Sequence, residues 1–148
     1  MMWNYFDSHG RMLWHVDAGG YVDWYRYDAT TGALIPSFRP TGVGVSTAVA
    51  VTDGVVYAGG SKLVAVDTVT GAPLPGFTTS TIATDGSLRG HNTPPQHRDL
   101  QLIGGWLYSA CQCDSLTQGG ATLGVKALVR FDPVTGVHDP TFTPQGAG

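Results

Sequence analysis

Asp67-Thr68-Val69-Thr70-Gly71, running on to Pro75 and Phe77, is written three times in this chain and decides its fold. The other copies are Asp28-Ala29-Thr30-Thr31-Gly32 with Pro36 and Phe38, and Asp132-Pro133-Val134-Thr135-Gly136 with Pro140 and Phe142. Five of eleven positions recur at identical internal spacing, and the motif Asp residues lie 39 and then 65 residues apart. A unit of about 40 residues that recurs cannot bury its apolar faces alone and must stack on neighbours, as in a solenoid or propeller. Asp opens a type I turn by accepting nearby backbone N–H groups, and Gly supplies the positive φ that closes it with a bulge. The pattern therefore predicts a structural turn at Asp28 and Gly32, at Asp67 and Gly71, and at Asp132 and Gly136. Phe38, Phe77 and Phe142 are read as the aromatic plugs that follow each turn and insert between sheets. No catalytic role is expected of these carboxylates.

The middle copy shows what the turns connect. Ser46 to Val51, Val55 to Ala58 and Leu63 to Val66 read as strands separated by Asp53-Gly54 and Gly59-Gly60-Ser61, the signature of an antiparallel meander. All three runs, Ala48 to Val51, Val55 to Tyr57 and Leu63 to Val66, are apolar on both faces, as a sheet covered on each side requires. In the third copy Leu100 to Ile103, Trp106 to Ala110 and Lys126 to Phe131 repeat the order, Tyr108 standing for Tyr57 and Gly105 for Gly54. Its extra length falls between Ser80 and Pro95 and in a detour from Cys111 to Gly124. In the first copy Met12 to His15 and Tyr21 to Tyr27 are expected strands. The expected organisation is a single all-β repeat domain over 1–148, with a partial blade at 1–40, a blade at 41–80 and a blade with inserted loops at 81–144.

Val55-Val56-Tyr57-Ala58-Gly59, Leu63-Val64-Ala65-Val66-Asp67 and Thr70-Gly71 together resemble a blade of the quinoprotein-like (PQQ-like) β-propellers. Leu128-Val129-Arg130-Phe131-Asp132 through Asp139-Pro140-Thr141-Phe142 is similar to the delta-60 repeats of bacterial secreted proteins. The resemblance runs from about residue 12 to 144 and implies a partial β-propeller of two to three antiparallel blades. It also implies a segment of a larger secreted or cell-surface protein, with an enzyme domain of quinoprotein-like ancestry as the alternative. Closed propellers use typically 4–8 blades, so the expected partners are further blades of a parent chain or a second copy of this one.

Composition sets limits on function. The 148 residues are 42% apolar, enough for one ordinary core. Eight basic against eleven acidic residues leave a net charge of −3, which does not favour nucleic acid or an anionic membrane. All eleven acids are Asp, the turn former, and none is Glu, the helix former, so helix should be scarce. No run approaches the roughly 20 apolar residues of a spanning helix, and the first twenty residues do not read as an export signal. A location outside the cell is expected on the resemblance, as part of a longer chain.

The residues with the most chemistry are His91, His97, Cys111 and Cys113. Cys and His are natural zinc ligands, but Cys-x-Cys is tighter than the usual chelate, and a disulfide is the other reading. His97 with Asp99 beside a cysteine also raises a nucleophilic arrangement, although Asp99-Leu100-Gln101 reads as the opening of a strand. Aromatic rings crowd the first 27 residues, and Trp3, Trp14 and Trp24 are candidates for stacking on carbohydrate or a protein partner. No cofactor is expected. The function read from the sequence is a non-catalytic structural or binding module, with function placed in the inserts of the third unit at His91 to His97 and Cys111 to Gly119. A carbohydrate-binding module is a further alternative.

Overall fold

The computed structural model describes residues 3–6, 10–16, 22–28, 30–38, 40, 42, 46–52, 54–84 and 94–144. Among them the chain is all β, with antiparallel pairing throughout and no helix. The first sheet is the meander β1 (Trp3–Phe6), β2 (Met12–Val16) and β3 (Val22–Trp24). The second begins with β4 (Ser46–Thr52), β5 (Val55–Gly60) and β6 (Lys62–Asp67). The third is formed by β8 (Gln96–Ile103), β9 (Trp106–Gln112) and β12 (Leu128–Phe131). Short strands rich in Val, Ala and Leu, reversed at Gly54 and at Gly104-Gly105 in positive φ, leave the backbone no other economical pairing than with the next strand. Antiparallel meanders stacked face to face are the construction of a partial β-propeller.

All three repeated motifs fold into the same corner. Asp28 Oδ1 accepts from the Thr30 and Thr31 amides and the Thr31 hydroxyl. Asp67 Oδ1 does the same for Val69 and Thr70, and Asp132 Oδ1 for Val134 and Thr135. The motif glycine donates its amide to the Asp carbonyl at 2.9, 2.9 and 2.8 Å, with φ of 71°, 74° and 70° at Gly32, Gly71 and Gly136. The chain then returns to bridge the strand it has just left, at Tyr27↔Leu34, Val66↔Pro73 and Phe131↔His138. A five-residue carboxylate-and-glycine turn thus lays a fourth, short segment along each meander.

The third unit differs from the sequence expectation in one respect. The detour from Cys111 to Gly124 is not a loop but, beyond the end of β9, the hairpin β10 (Ser115–Gln118) and β11 (Ala121–Gly124), reversed at Gly119-Gly120. It leaves its own sheet and adds to the second one, through β7 (Ser80–Ala83), giving the order β11-β10-β7-β6-β5-β4. The register is Ser115↔Ala83, Leu116↔Ile82 and Thr117↔Thr81, which turns Leu116 and Ile82 into the interior together.

The core lies between the second and third sheets. Tyr57, Leu63, Ala65, Ile82 and Leu116 of one face Leu100, Leu107, Val129 and Phe131 of the other. The opposite side of the second sheet is also covered, at Ala58, Val64 and Val66. Central strands β5 and β6 are accordingly buried on both faces, but β4, expected to be covered likewise, is an edge strand with Val49 and Val51 exposed, and β9 and β12 alternate buried and half-exposed. Gly136 sits in the tightest part of this contact: a Cβ there would stand 2.7 Å from the Thr78 carbonyl oxygen and 2.8 Å from Phe77 Cζ. Gly32 has the same φ, but a Cβ there would meet only Arg11 Nη1, at 3.6 Å.

Gly32→Ala should therefore cost about 1–2 kcal/mol, the penalty of a left-handed backbone alone. Gly136→Ala should cost at least about 1 kcal/mol more, because overpacking is added. Urea midpoints of the two variants check this; equal losses would show that the corner does not dock on Phe77.

Candidate functional site

The half-exposed face of the third sheet carries a cluster that the sequence reading did not single out. Trp106 and Tyr108 of β9 and Arg130 of β12 are among the residues that point away from the core, and Phe142 folds over them. The Arg130 guanidinium lies 4.3 Å from the Trp106 ring centroid and 4.8 Å from that of Phe142, a cation held between two π faces. Tyr108 meets Phe142 edge to face at 5.6 Å. Asp139, delivered by the return segment after the corner, pairs with Arg130 through Nε at 3.0 Å and through Nη2. Asp139 also accepts from the Thr141 hydroxyl and amide, and these bonds with the Arg130 pairing hold its pKa at about 2. The Tyr108 hydroxyl and Asp139 in turn raise the Arg130 pKa. The cluster is a fixed, charged and aromatic surface at physiological pH.

The same positions of the second sheet show what such a face is built to meet. Tyr57 is the counterpart of Tyr108 and Phe77 that of Phe142, and their rings lie 6.0 Å apart. This pair is covered by the corner of the third unit: Tyr57 Oη donates to the Pro133 carbonyl at 2.9 Å, and the Thr78 amide donates to the Thr135 carbonyl at 2.7 Å. Gln118 of β10 completes the clamp. Its amide nitrogen donates to the Gly136 and Thr78 carbonyls, and its oxygen accepts the His138 amide. One side chain thereby satisfies three backbone groups at the seam, a role invisible in sequence because Gln118 lies far from the motif it serves.

The residues expected to carry chemistry are placed as follows. His97 and Cys111 are cross-strand partners in β8 and β9, so the structure does bring them together. They are not at a rim. His97 is fully buried with its Cβ against Gly59, and its Nδ1 bonds Ser109 Oγ at 2.5 Å. Cys111 and Cys113 are joined as a disulfide, both buried, at the point where the chain crosses from β9 to β10. Neither sulfur is thus a free thiol for metal or nucleophile, and among the described residues no group of three or more His, Cys, Asp or Glu side chains could hold a metal. Asp99 is exposed on β8, where it accepts from Gln101. His91 lies outside the described residues. Trp3, Trp14 and Trp24 lie in β1, β2 and β3, with Trp14 and Trp24 paired across strands. A cleft of about 210 Å³ opens beside the aromatic cluster, lined by Val125, Lys126, Leu128, His138, Pro140 and Phe142 among others.

No family model matches the chain, and no curated protein matches it. Among solved structures, BamB from Moraxella catarrhalis is similar, with a TM-score of 0.44 and 19% identity. The match covers 84% of this chain and 46% of that one, so the chain spans about half the length of that protein. No helix among the described residues is long and apolar enough to cross a membrane.

Burial lowers the His97 pKa to about 4, because desolvation penalises the imidazolium. The unfolded chain takes up this proton near pH 6.5 and the folded one does not, so stability is full above pH 6.5 and falls as the pH drops toward 4. The loss amounts to about 3 kcal/mol. Denaturant titrations across this range should show that slope, and His97→Gln, which can still bond Ser109 but does not titrate, should flatten it.

Reducing the disulfide frees a very short loop and should cost about 1.5 kcal/mol on chain-entropy grounds. A melting temperature unchanged by a strong dithiol reductant would show that the link is not closed in solution.

Proposed function

We propose that the chain is a non-catalytic structural or binding module, a β-propeller segment of three repeat units within a larger secreted or surface protein or assembly, and that its ligands are proteins. The observation that carries this reading is the contrast between equivalent faces. The Tyr57 and Phe77 face of the second sheet is covered by a neighbouring corner, whereas the Tyr108 and Phe142 face of the third is half-exposed. Arg, Trp and Tyr in one well-packed patch are the residue types that dominate protein interfaces. The buried disulfide supports an oxidising compartment, where such links form and persist.

The buried chemistry argues the same way. His97, whose pKa burial lowers to about 4, is fully buried between sheets and held by Ser109. A catalytic base must reach its substrate proton. With pyrroloquinoline quinone and calcium added, the expected result is no rise in melting temperature and no reduction of an electron acceptor by primary alcohols. Saturable stabilisation accompanied by turnover would overturn the reading in favour of a quinoprotein-like enzyme.

A further inference from the structure

We propose that the Tyr108–Phe142 face receives the Asp28–Gly32 corner of a second copy of the chain, so that copies join head to tail through the same contact that joins the second and third units within one copy. This rests on the reading of the chain as a propeller-type module and names the partner of that module's open face.

The template is internal. Besides Gln118 of the crossing hairpin, which the third sheet does not repeat, three elements of the second sheet hold the third corner: the Tyr57 hydroxyl, the Thr78 amide and the Phe77 ring against Gly136. Each has its counterpart on the third sheet at the same spacing. Tyr108 stands for Tyr57. It is the cross-strand partner of Arg130, and its hydroxyl carries a proton to donate. Thr143 stands for Thr78, is exposed, and its amide has no partner among the described residues. Phe142 stands for Phe77 and packs on Tyr108 as Phe77 packs on Tyr57.

The complementary part is at the other end of the repeat. Gly71 and Gly136 are buried, whereas Gly32 and its neighbours Thr30, Thr31 and Ala33 are exposed. The Asp28 corner is already closed by the same four hydrogen bonds as the Asp132 corner, so its backbone needs no rearrangement to dock, only displacement of the Arg11 side chain. Beside Gly32, in the place that the Phe77 ring fills beside Gly136, stands only the end of the Arg11 side chain. A preformed corner and a preformed receiving face are thus presented by one molecule, the corner carrying the Arg11 side chain, whose Nη1 donates to the Asp28 carbonyl at 3.5 Å, and the face carrying the Arg130 stack.

Chemistry separates a second copy from a further blade of the same chain. In the second unit, where cover is permanent, the positions of Trp106, Arg130 and Asp139 hold Val55, Ala65 and Leu74, which join the apolar core. On the open face an ion pair between aromatic rings takes their place. Such a face tolerates water when free and buries hot-spot side chains when bound, the mark of an interface that forms between separately folded molecules. Head-to-tail joining is heterologous, so it closes into a ring or continues as a filament.

The mass of the chain in solution, followed by light scattering over a wide concentration range, tests this. The expected result is reversible growth from 15.6 kDa to multiples of it. Two variants block one end each. Thr143→Pro removes an amide that the fold does not use, and Gly32→Asn keeps a residue that accepts left-handed backbone but places a side chain where the receiving ring would sit. Each variant alone should stay monomeric with an unchanged circular dichroism spectrum, and an equimolar mixture should give a dimer that grows no further. Tyr108→Phe should weaken association several-fold without affecting folding. A wild-type chain that is monomeric at every concentration, or a mixture that does not pair, overturns the assignment and makes the Arg130 stack a polar cap. That outcome is distinct from quinone-dependent turnover, which would overturn the module reading itself.

Discussion

The fit of one unit's corner into the aromatic face of its neighbour is the contact on which the rest of this structure depends. A corner made rigid by Asp and Gly presents bare backbone at Gly136, and bare backbone can approach an aromatic ring more closely than any side chain would allow. Hydrogen bonds from Tyr57 and Thr78 then satisfy carbonyls that the close approach would otherwise strand away from water. The result couples local turn chemistry to long-range stacking: a carboxylate that organises four residues also shapes the surface by which one sheet recognises the next. Each corner Asp is kept ionised by its hydrogen bonds from the backbone and side chain of the threonine three residues on.

Much of this was legible because repetition exposes constraint. The Asp–Thr–Gly spacing gave the corners, and the apolar runs gave strands β4, β5, β6, β9 and β12 to within two residues at most boundaries. Strand β1 and the hairpin β10–β11 were not legible. Ser115–Gln118 and Ala121–Gly124 have neither alternation nor β-branched density; their strand state comes from the waiting edge of β7, a tertiary cause. The fate of His97 was hidden for a related reason. A histidine beside an aspartate reads as chemistry, yet the inward parity of β8 and the absent side chain at Gly59 make it a core residue.

The cluster around Arg130 was missed because its parts are scattered over 37 positions, from Trp106 to Phe142, and only pairing brings them to one face. Val129↔Ser109 and Arg130↔Tyr108 in register place the guanidinium beside the tyrosine. The return segment after the corner then supplies Asp139 and Phe142, as it supplies Leu74 and Phe77 one unit earlier. Identical backbone geometry with different side chains is how a repeat specialises: the corner fixes where the groups will be, and substitution decides whether the face is core or surface.

The crossing hairpin changes the mechanics of the pair. In a simple repeat array each unit touches its neighbours only through faces, and stability is a sum of unit and interface contributions. Here β10 and β11, which lie in sequence between β9 and β12 of the third sheet, are hydrogen-bonded into the second. The sheets cannot part without also breaking the pairing of Ser115–Thr117 with Thr81–Ala83 and drawing Leu116 and Ile82 out of the core. Gln118 ties that same hairpin to the docked corner. The disulfide stands at the crossing point, where it limits the freedom of the chain between the two sheets. Units two and three therefore behave as one cooperative block, and among the described residues the Asp28 corner is largely exposed and the Tyr108–Phe142 face half-exposed.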